Sequence, residues 1–421
     1  MSAAIDGARK ERIDSIERVL AGAVLFLLPL SAFSLIGSSS VTPGVMLFAV
    51  VCVVVIRGAV GYKWGGLVLS LIVLSSLSGF LLVNIARSDH AVDDRSALGM
   101  TFLLLGAGAS FACLLWARTL LGPNLSASLY AAGIGLQALL TPLSWSTIPW
   151  KYAFAWPVAV LLLVVAEATQ RRWLIVLAIA AIGLISVAND YRSYFGICLI
   201  VAVIFVTRWK KPAGLTNPRR GLVQLLGVTA LGFFVLQLGV WLAVAGYLGE
   251  RNRLVTSEQL AGGESILASG RVEWNAAFGF FVNRPFGFGP GVHPNFRDIN
   301  LGKESLAGTG ADLNGQYVNT YLLGDQIQLH SVLSDLWVNF GLVGMLLAFA
   351  FAVILVGGLI RMLAARSPSA LLIFLVVVAV WDLAFSPIKS NLHEVLLAAA
   401  LVMSPRRNES DAGGRGPLPL G

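Results

Sequence analysis

Residues 341–361 read GLVGMLLAFAFAVILVGGLIR, and their only charged residue is Arg361 at the end. A helix needs about 20 mostly apolar residues to cross a membrane, so this run is predicted to be a transmembrane span. Similar runs recur along the whole chain. We place spans at 19–36, 41–56, 64–86, 97–121, 124–141, 151–167, 172–188, 191–207, 221–248, 341–361, 369–385 and 390–403. The expected fold class is therefore an all-α polytopic membrane protein with about 12 transmembrane helices.

The composition also indicates a membrane protein. Hydrophobic residues make up 57% of the chain and charged residues 12%, whereas soluble domains contain roughly a quarter charged residues. The net charge of +8 would favour a nucleic-acid partner only if the basic residues formed one face. They collect instead at the ends of apolar runs, so we expect no binding of nucleic acid and contact with membrane lipid.

The positions of Lys and Arg predict the orientation of the spans. If the N-terminus is inside, the short outer loops contain few basic residues, namely Arg87, Arg95, Lys151, Arg192 and Lys389. Cytoplasmic loops are rich in Lys and Arg, so both termini are expected in the cytoplasm. The chain should then be a multi-pass protein of the plasma (inner) membrane, with the long loop after span nine outside.

The expected organisation is one functional domain in four segments. Residues 1–248 contain spans one to nine, 249–340 form the extracytoplasmic loop between spans nine and ten, and 341–403 contain spans ten to twelve. Residues 404–421 are rich in Gly, Pro and charge and are expected to be a disordered cytoplasmic tail. The loop is the only long polar segment between apolar runs, and we expect short helices in it to carry the functional site.

A helix is predicted within the loop, capped by Ser269 or Gly270 and stopped at Arg284 by the following proline. One face of this helix would lie on the membrane interface or on the bundle. By their spacing, the residues of that face are Trp274, Ala277, Phe278 and Phe281.

Two arginines are predicted to lie in first turns of helices on the outer side. Arg271 lies in the first turn of the loop helix, and Arg192 lies in the first turn of the eighth span, which Asn189 or Asp190 can cap. Free backbone N–H groups and the helix dipole favour an anion at such a place, and a guanidinium matches the geometry of phosphate oxygens. These arginines would suit a diphosphate. The alternatives are that Arg271 pairs with Glu264 or Glu273 or faces solvent, and that Arg192 pairs with Asp190.

His330 opens a helical segment, HSVLSDLWVNF, that leads into the span beginning at Gly341. His330, Ser334 and Trp337 share a face by their spacing. An imidazole can accept a proton at neutral pH, so a role as general base is available. The alternative is a structural histidine at a helix start. Asp335 does not share this face and is not assigned as the partner of the imidazole.

Asp382 lies near the outer end of span eleven, where an ionisable residue is a functional candidate by default. The alternative, which we prefer at this point, is an ion pair with Lys389. No His, Cys or carboxylate cluster has the spacing of metal ligands, and no glycine-rich nucleotide loop follows a strand. Neither a metal nor another cofactor is therefore expected.

Together these segments resemble the O-antigen ligase and O-antigen polymerase superfamily of membrane glycosyltransferases. The stretch GRVEW at 270–274 looks like the family's loop helix with Arg and Trp, and 284–291 is similar to its Pro-then-Gly-x-Gly turn. Residues 330–344 look like its helix that begins with His and ends in Gly-x-x-Gly. Arg192 occupies the place of the family's outer arginine. One departure is Ser331, where the family often has Asn.

The resemblance implies a GT-C-like fold and transfer of a glycan from an undecaprenyl-diphosphate carrier to an acceptor hydroxyl, with inversion and without metal. His330 would take the proton of the acceptor, and Arg271 and Arg192 would bind the diphosphate. Further candidates for substrate binding are Arg284, Trp274 and Asp382.

Several choices stay open at this stage. The enzyme could act as a ligase or a polymerase, its acceptor could be a glycan, a lipid or a protein, and polysaccharide assembly proteins are candidate partners. Alternative functions are a secondary transporter of a small polar solute and a noncatalytic scaffold for polysaccharide export. About twelve spans is also a transporter layout, but few ionisable residues lie in mid-membrane.

Overall fold

The computed structural model describes residues 2–30, 43–141, 148–209, 272–309, 311–364 and 369–406, with scattered positions at 145 and in 223–257. All regular structure in these residues is helical, and β pairing is limited to isolated bridges. Helices long and apolar enough to cross a membrane are Gly65–Ala86, Asp94–Leu121, Trp150–Ala168 and Val332–Ala364. The expectation that the chain is an all-helical membrane protein is confirmed, and the number of spans stays a prediction.

Thirteen α-helices are named here in chain order. They are α1 (Ser2–Leu27), α2 (Pro43–Val60), α3 (Gly65–Ala86), α4 (Asp94–Leu121), α5 (Pro123–Leu140), α6 (Ala155–Ala168), α7 (Arg172–Ala188), α8 (Arg192–Trp209), α9 (Glu273–Asn283), α10 (Phe296–Leu306), α11 (Val332–Ala364), α12 (Ala370–Phe385) and α13 (Ile388–Val402). Two π-helical segments are Trp150–Phe154 and Tyr317–Leu322.

Most predicted spans coincide with a helix, with two notable exceptions. The ninth predicted span, 221–248, lies outside the described residues apart from scattered positions. The tenth predicted span, 341–361, is only the second part of a longer helix. This helix, α11, begins at Val332 and continues through a break at Gly341, where φ is 67° and ψ is −156°. The predicted helical segment before Gly341 and the span after it are thus two parts of one broken helix.

One end of the helical bundle carries the polar segment 272–331, and we call it the loop end. The backbone N–H of Asp93, at the start of α4, donates to the Gly291 carbonyl oxygen at 2.9 Å. The Trp274 indole N–H donates to the Ala384 carbonyl oxygen at 3.0 Å, near the end of α12. The turn between α3 and α4 and the end of α12 therefore both contact this segment.

The opposite end of α13 is surrounded by basic side chains, and we call it the basic end. Arg118 donates to the carbonyl oxygens of Ala400 and Met403 at 2.9 and 2.7 Å, and Arg361 donates to that of Val402 at 2.9 Å. The last carbonyls of a helix have no partner within the helix, so cations stabilise them. These are arginines that the charge distribution assigns to the inner side. Which face of a membrane each end meets stays a prediction.

The glycine-rich turn 284–291 is built into the bundle beside the break in α11. The backbone N–H groups of Phe288 and Gly289 donate to the Val338 carbonyl oxygen at 2.9 and 3.0 Å. Gly289 has φ of 104°, a conformation that side chains rarely permit, and a Cβ there would lie 2.9 Å from a backbone atom of α3. This close approach of the turn to α3 explains why position 289 needs glycine.

Replacing Gly341 with alanine should destabilise the protein. The residue has φ of 67°, and an added Cβ would lie 2.7 Å from the Phe286 carbonyl oxygen. Strain of this kind costs about 1–3 kcal/mol, which should appear as a lower thermal unfolding midpoint. The matched control is Gly99→Ala in α4, because nothing lies within 4 Å of its added Cβ. Equal midpoints for the two variants would contradict the assigned role of Gly341.

Candidate functional site

His330 lies at the junction between the polar segment and α11. Its backbone has φ of 46°, a left-handed conformation that few residues other than glycine adopt. Residues held in such conformations cluster at functional sites, because the surrounding structure must compensate for the strain. The side chain is half-buried, so part of the imidazole is accessible. The backbone geometry therefore marks His330 as a functional candidate independently of its chemistry.

The nearest hydrogen-bond partner of the imidazole defines which nitrogen can act as a base. Nδ1 lies 3.3 Å from the backbone carbonyl oxygen of Gln328. A carbonyl oxygen only accepts, so the neutral ring carries its proton on Nδ1 in this contact. Nε2 then presents a lone pair, and no hydrogen bond to it is formed by the described residues. The ring is oriented as a proton acceptor.

A phenol and a carboxylate lie beside the imidazole. The ring centroids of Tyr317 and His330 are 5.9 Å apart. The Tyr317 hydroxyl donates to Oε1 of Glu273, whose residue is 8% exposed and begins α9. A negative charge at the start of a helix is stabilised by the helix dipole. These contacts bring together α9, the π-helical segment Tyr317–Leu322 and His330, two residues before α11.

Asp335 holds the backbone around His330. Its carboxylate oxygens accept from the backbone N–H groups of Leu329 and Ile388 at 2.9 and 3.0 Å, and the side chain is buried. One carboxylate thus joins the residue before His330 to the start of α13. Among the described residues, no hydrogen bond joins the Asp335 carboxylate to the His330 imidazole, although the two groups interact electrostatically. Its role as a positioning residue could not be deduced from spacing.

Ser331 anchors the start of α11 to α12. Its hydroxyl oxygen accepts from the Ser334 backbone N–H at 3.2 Å, which caps the helix. The same hydroxyl donates to the Leu383 carbonyl oxygen at 2.9 Å. The neighbouring Ala384 carbonyl receives the indole N–H of Trp274, which remains 39% exposed. The end of α12 is therefore held from both sides of the candidate site.

The loop helix α9 differs in part from its prediction. It begins at Glu273 with Val272 as the N-cap residue, which provides no side-chain cap. The predicted caps, Ser269 and Gly270, lie outside the described residues, as does Arg271. Ala277 was expected on the same face as the aromatic residues, but it is buried with Ala276 and Phe280. Ala277 thus lies at the buried edge of the predicted face, and the exposed aromatic residues of that face are Trp274, Phe278 and Phe281.

Arg192 begins α8, as predicted, and forms the ion pair that was the alternative to anion binding. Its Nε lies 3.6 Å from Oδ1 of Asp190, and its side chain is 52% exposed. Tyr191 stands between Asp190 and Arg192, and the Lys151 ammonium lies 5.9 Å from the centroid of the Tyr191 ring. Lys151 is thus a second cation near this helix start that we did not single out from sequence. No hydrogen bond or ion pair joins Arg192 to His330 among the described residues.

Arg284 belongs to a separate cluster between α3 and α10. Its guanidinium lies 4.7 Å from the Phe288 ring centroid and 3.8 Å from a carboxylate oxygen of Asp89. The fully buried His90 ring lies between Asp89 and Asp298, with nitrogen-to-oxygen distances of 2.6 and 2.7 Å. The hydrogen bond with His90 is the main cause that lowers the pKa of Asp89. This cluster fastens the polar segment to α3, and it was not anticipated from sequence.

Asp382 is 3% exposed and does not form the predicted ion pair. Its Oδ1 accepts from the Asn391 side-chain amide at 3.3 Å. Lys389 is exposed in the first turn of α13. The expected Asp382–Lys389 pair is wrong, because the carboxyl group is buried against α13 while the ammonium group stays at the surface.

Replacing Asp335 with asparagine should destabilise the protein. The amide has one acceptor oxygen, so one of the two buried N–H groups loses its partner, at about 1–3 kcal/mol. We expect a lower thermal unfolding midpoint than that of the wild type. The control is Asp325→Asn, which changes an exposed carboxylate close to His330 in sequence. Equal midpoints for the two variants would contradict the role of Asp335 in holding the backbone on both sides.

The site at the loop end combines a half-exposed base with nearby helix starts. Among the described residues, no group of three or more His, Cys, Asp or Glu side chains could hold a metal ion. A hydroxyl bound at Nε2 of His330 could lose its proton there.

No protein-family model matches this chain, and neither a curated protein nor a solved structure matches it.

Proposed function

We propose that this protein is a membrane glycosyltransferase that moves a glycan from an undecaprenyl-diphosphate carrier to an acceptor hydroxyl. The observation that carries the proposal is His330, held in a left-handed backbone conformation with Nδ1 directed to a carbonyl oxygen. This arrangement supplies a general base at the seam between a polar segment and an apolar bundle. The resemblance of 270–274, 284–291 and 330–344 to the O-antigen ligase and polymerase superfamily supports the donor class.

The proposed reaction is a single displacement. Nε2 of His330 takes the proton of the acceptor hydroxyl, and the acceptor oxygen forms a bond to the anomeric carbon. The bond from that carbon to the diphosphate oxygen breaks on the opposite face, so the configuration inverts and polyprenyl diphosphate leaves with the electron pair. Arg271 and Arg192 bind the diphosphate, and each such contact to a developing anion is worth about 3 kcal/mol.

Arg192 must leave its present partner to bind a diphosphate. Its Nε is 3.6 Å from Asp190, and both side chains are about half exposed. Ion pairs between exposed groups contribute little stability, about 0–1 kcal/mol. A diphosphate offers more oxygen atoms and more charge than one carboxylate, so the exchange is favourable. Lys151 lies near the same helix start and would add to the positive potential there.

The other substrate-binding candidates have different roles in this proposal. Trp274 has an exposed indole surface beside the site and contacts the glycan. Arg284 and Asp382 act indirectly, because Arg284 packs on Phe288 and Asp382 is buried. Arg284 maintains the 284–291 turn, and Asp382 supports the end of α12.

The proposal includes the full membrane arrangement inferred from charge. There are about twelve spans, the loop end faces the outside, and both termini lie in the cytoplasm of a cell with an inner membrane. The exposed aromatic side chains of α9, including Phe278 at 70% exposure, suit a helix that lies at the membrane interface. A lipid-linked donor diffusing in the membrane would then reach the site beside α9. Polysaccharide assembly proteins would deliver the donor.

The test is transfer by the purified protein in lipid nanodiscs. The protein is incubated with an undecaprenyl-diphosphate oligosaccharide, a chelator and acceptors that present glycan, lipid or peptide hydroxyls. Products are separated by length and identified by mass spectrometry. We expect transfer to at least one acceptor, with a ladder of products for a polymerase and a single product for a ligase. Intact donor with every acceptor, in a preparation that remains folded, would contradict the proposal.

A further inference from the structure

The contacts around His330 close into a ring at the loop end. The centroid of its imidazole lies 5.9 Å from that of the Tyr317 ring, and the Tyr317 hydroxyl donates to Oε1 of Glu273. Trp274 follows Glu273 in the chain and donates its indole N–H to the Ala384 carbonyl oxygen at 3.0 Å. The end of α12, which carries Ala384, is bound in turn by the residue that follows His330. Tyr317, Trp274 and His330 therefore surround one place.

The two aromatic residues of this ring of contacts offer a ligand mainly apolar ring surface. Tyr317 is 40% exposed and Trp274 is 39% exposed. The phenol hydroxyl and the indole N–H already donate to acceptors within the protein. Aromatic residues that anchor a protein at a membrane interface instead turn their polar end toward water. The hydrogen bonds of Tyr317 and Trp274 therefore indicate a ligand site rather than an interfacial anchor.

A sugar ring has the chemistry that suits this place. One face of a pyranose presents C–H groups, which the negative face of an aromatic ring attracts, and its hydroxyl groups lie at the edge. A hydroxyl at that edge can meet Nε2 of His330, the nitrogen that is able to take its proton. A diphosphate suits the place poorly, because the Glu273 carboxylate would repel it. A peptide would need partners for its backbone N–H and C=O groups, which aromatic faces do not provide.

We propose that Tyr317 and Trp274 form the acceptor subsite and that the acceptor is a sugar, held by its C–H face with one hydroxyl at Nε2 of His330. The role as acceptor subsite rests on the proposed function, whereas the binding of a sugar rests on the ring of contacts alone. Tyr317 is a specificity-determining residue, because its ring is the wall of the subsite beside the base. Glu273 is a positioning residue, because it holds the Tyr317 ring through the hydroxyl group.

Sugar binding is tested without donor, by saturation-transfer difference NMR of the protein in nanodiscs. The probes are the methyl glycosides of glucose, galactose, mannose and N-acetylglucosamine, with N-acetylserine amide as the peptide probe. We expect saturation of the C–H protons on one face of a glycoside, and binding about tenfold weaker in Tyr317→Leu and in Trp274→Leu. The control is Phe278→Leu, which changes an exposed ring of α9 outside the ring of contacts. Saturation of no glycoside, tighter binding of the serine probe or an equal loss in Phe278→Leu would each overturn the proposal.

The role of Glu273 is tested in the transfer assay, by separating KM for the acceptor from KM for the donor and from kcat. Glu273→Gln keeps an oxygen that accepts from the phenol, whereas Glu273→Ala removes it. We expect Glu273→Ala to raise the acceptor KM about tenfold and Glu273→Gln to stay close to the wild type.

The outcomes of the two experiments separate this inference from the proposed function. An unchanged acceptor KM in Glu273→Ala would overturn the positioning role, and a raised donor KM would assign the subsite to the sugar of the donor and overturn the acceptor role. If Glu273→Ala does not fold, Tyr317→Phe breaks the same hydrogen bond from the other side. A wild-type protein that binds glycosides but transfers nothing would contradict the proposed function and leave the sugar site supported.

Discussion

Replacing His330 with alanine should lower the rate of glycan transfer by about 10²–10⁴-fold, the usual contribution of a general base. The acceptor hydroxyl would then attack with its proton still attached. His330→Asn is the more informative variant, because asparagine tolerates the left-handed conformation with φ of 46° and has no basic nitrogen. Both rates are measured as product formed per folded protein in the nanodisc assay.

The control for His330 is another histidine of the polar segment. His293 is half-buried in the turn that joins the segment to α4, and its backbone N–H donates to the Ala91 carbonyl oxygen at 2.9 Å. The backbone contact survives in His293→Ala, so transfer by this variant should stay close to that of the wild type. Near-normal transfer by His330→Asn would rule out His330 as the base.

Removing either proposed diphosphate ligand should have the next largest effect. We expect Arg271→Ala and Arg192→Ala each to lower transfer by about 10²–10³-fold, because each removes a donor from a developing anion. Lysine keeps the charge without the planar fork, so Arg271→Lys and Arg192→Lys should recover only part of the rate. If the two arginines bind one diphosphate, the double alanine variant should lose less than the product of the single effects.

Arg297 provides the control for these charge changes. It is exposed in the first turn of α10, in the same polar segment, and Arg297→Ala removes the same charge. We expect little change in transfer. A loss as large as that of Arg271→Ala would indicate a general effect of net charge on the donor and would remove the reason for assigning specific ligands.

The sequence predicted the class of fold well because the relevant signal is local. A run such as 341–361 has the length and composition of a span by itself, and Arg192 lies in the first turn of α8, as predicted. The glycines of 284–291 also indicated a turn. Their purpose could not be predicted, since it depends on a carbonyl of α11 and on the end of α3, both distant in sequence.

The sequence singled out His330 as a candidate but gave no sign of the residues that surround it. His330 was chosen from its position before an apolar helix, whereas Tyr317, Glu273 and Asp335 matter through contacts made by the folded chain. The nearest residue of opposite charge in the sequence was a poor guide to the partner of Asp382. The burial of the Asp382 carboxyl group against α13 decides that partner. Backbone strain at His330 is a further signal that no sequence pattern gives.

The most direct test of the central claim is the position of a bound donor analogue. A structure is determined by electron cryomicroscopy with a non-hydrolysable undecaprenyl-diphosphate sugar in nanodiscs. We predict diphosphate density at the loop end, within hydrogen-bonding reach of Arg192, with the sugar beside Nε2 of His330. Diphosphate density at the basic end, or a sugar enclosed in the bundle at Asp382, would contradict the account.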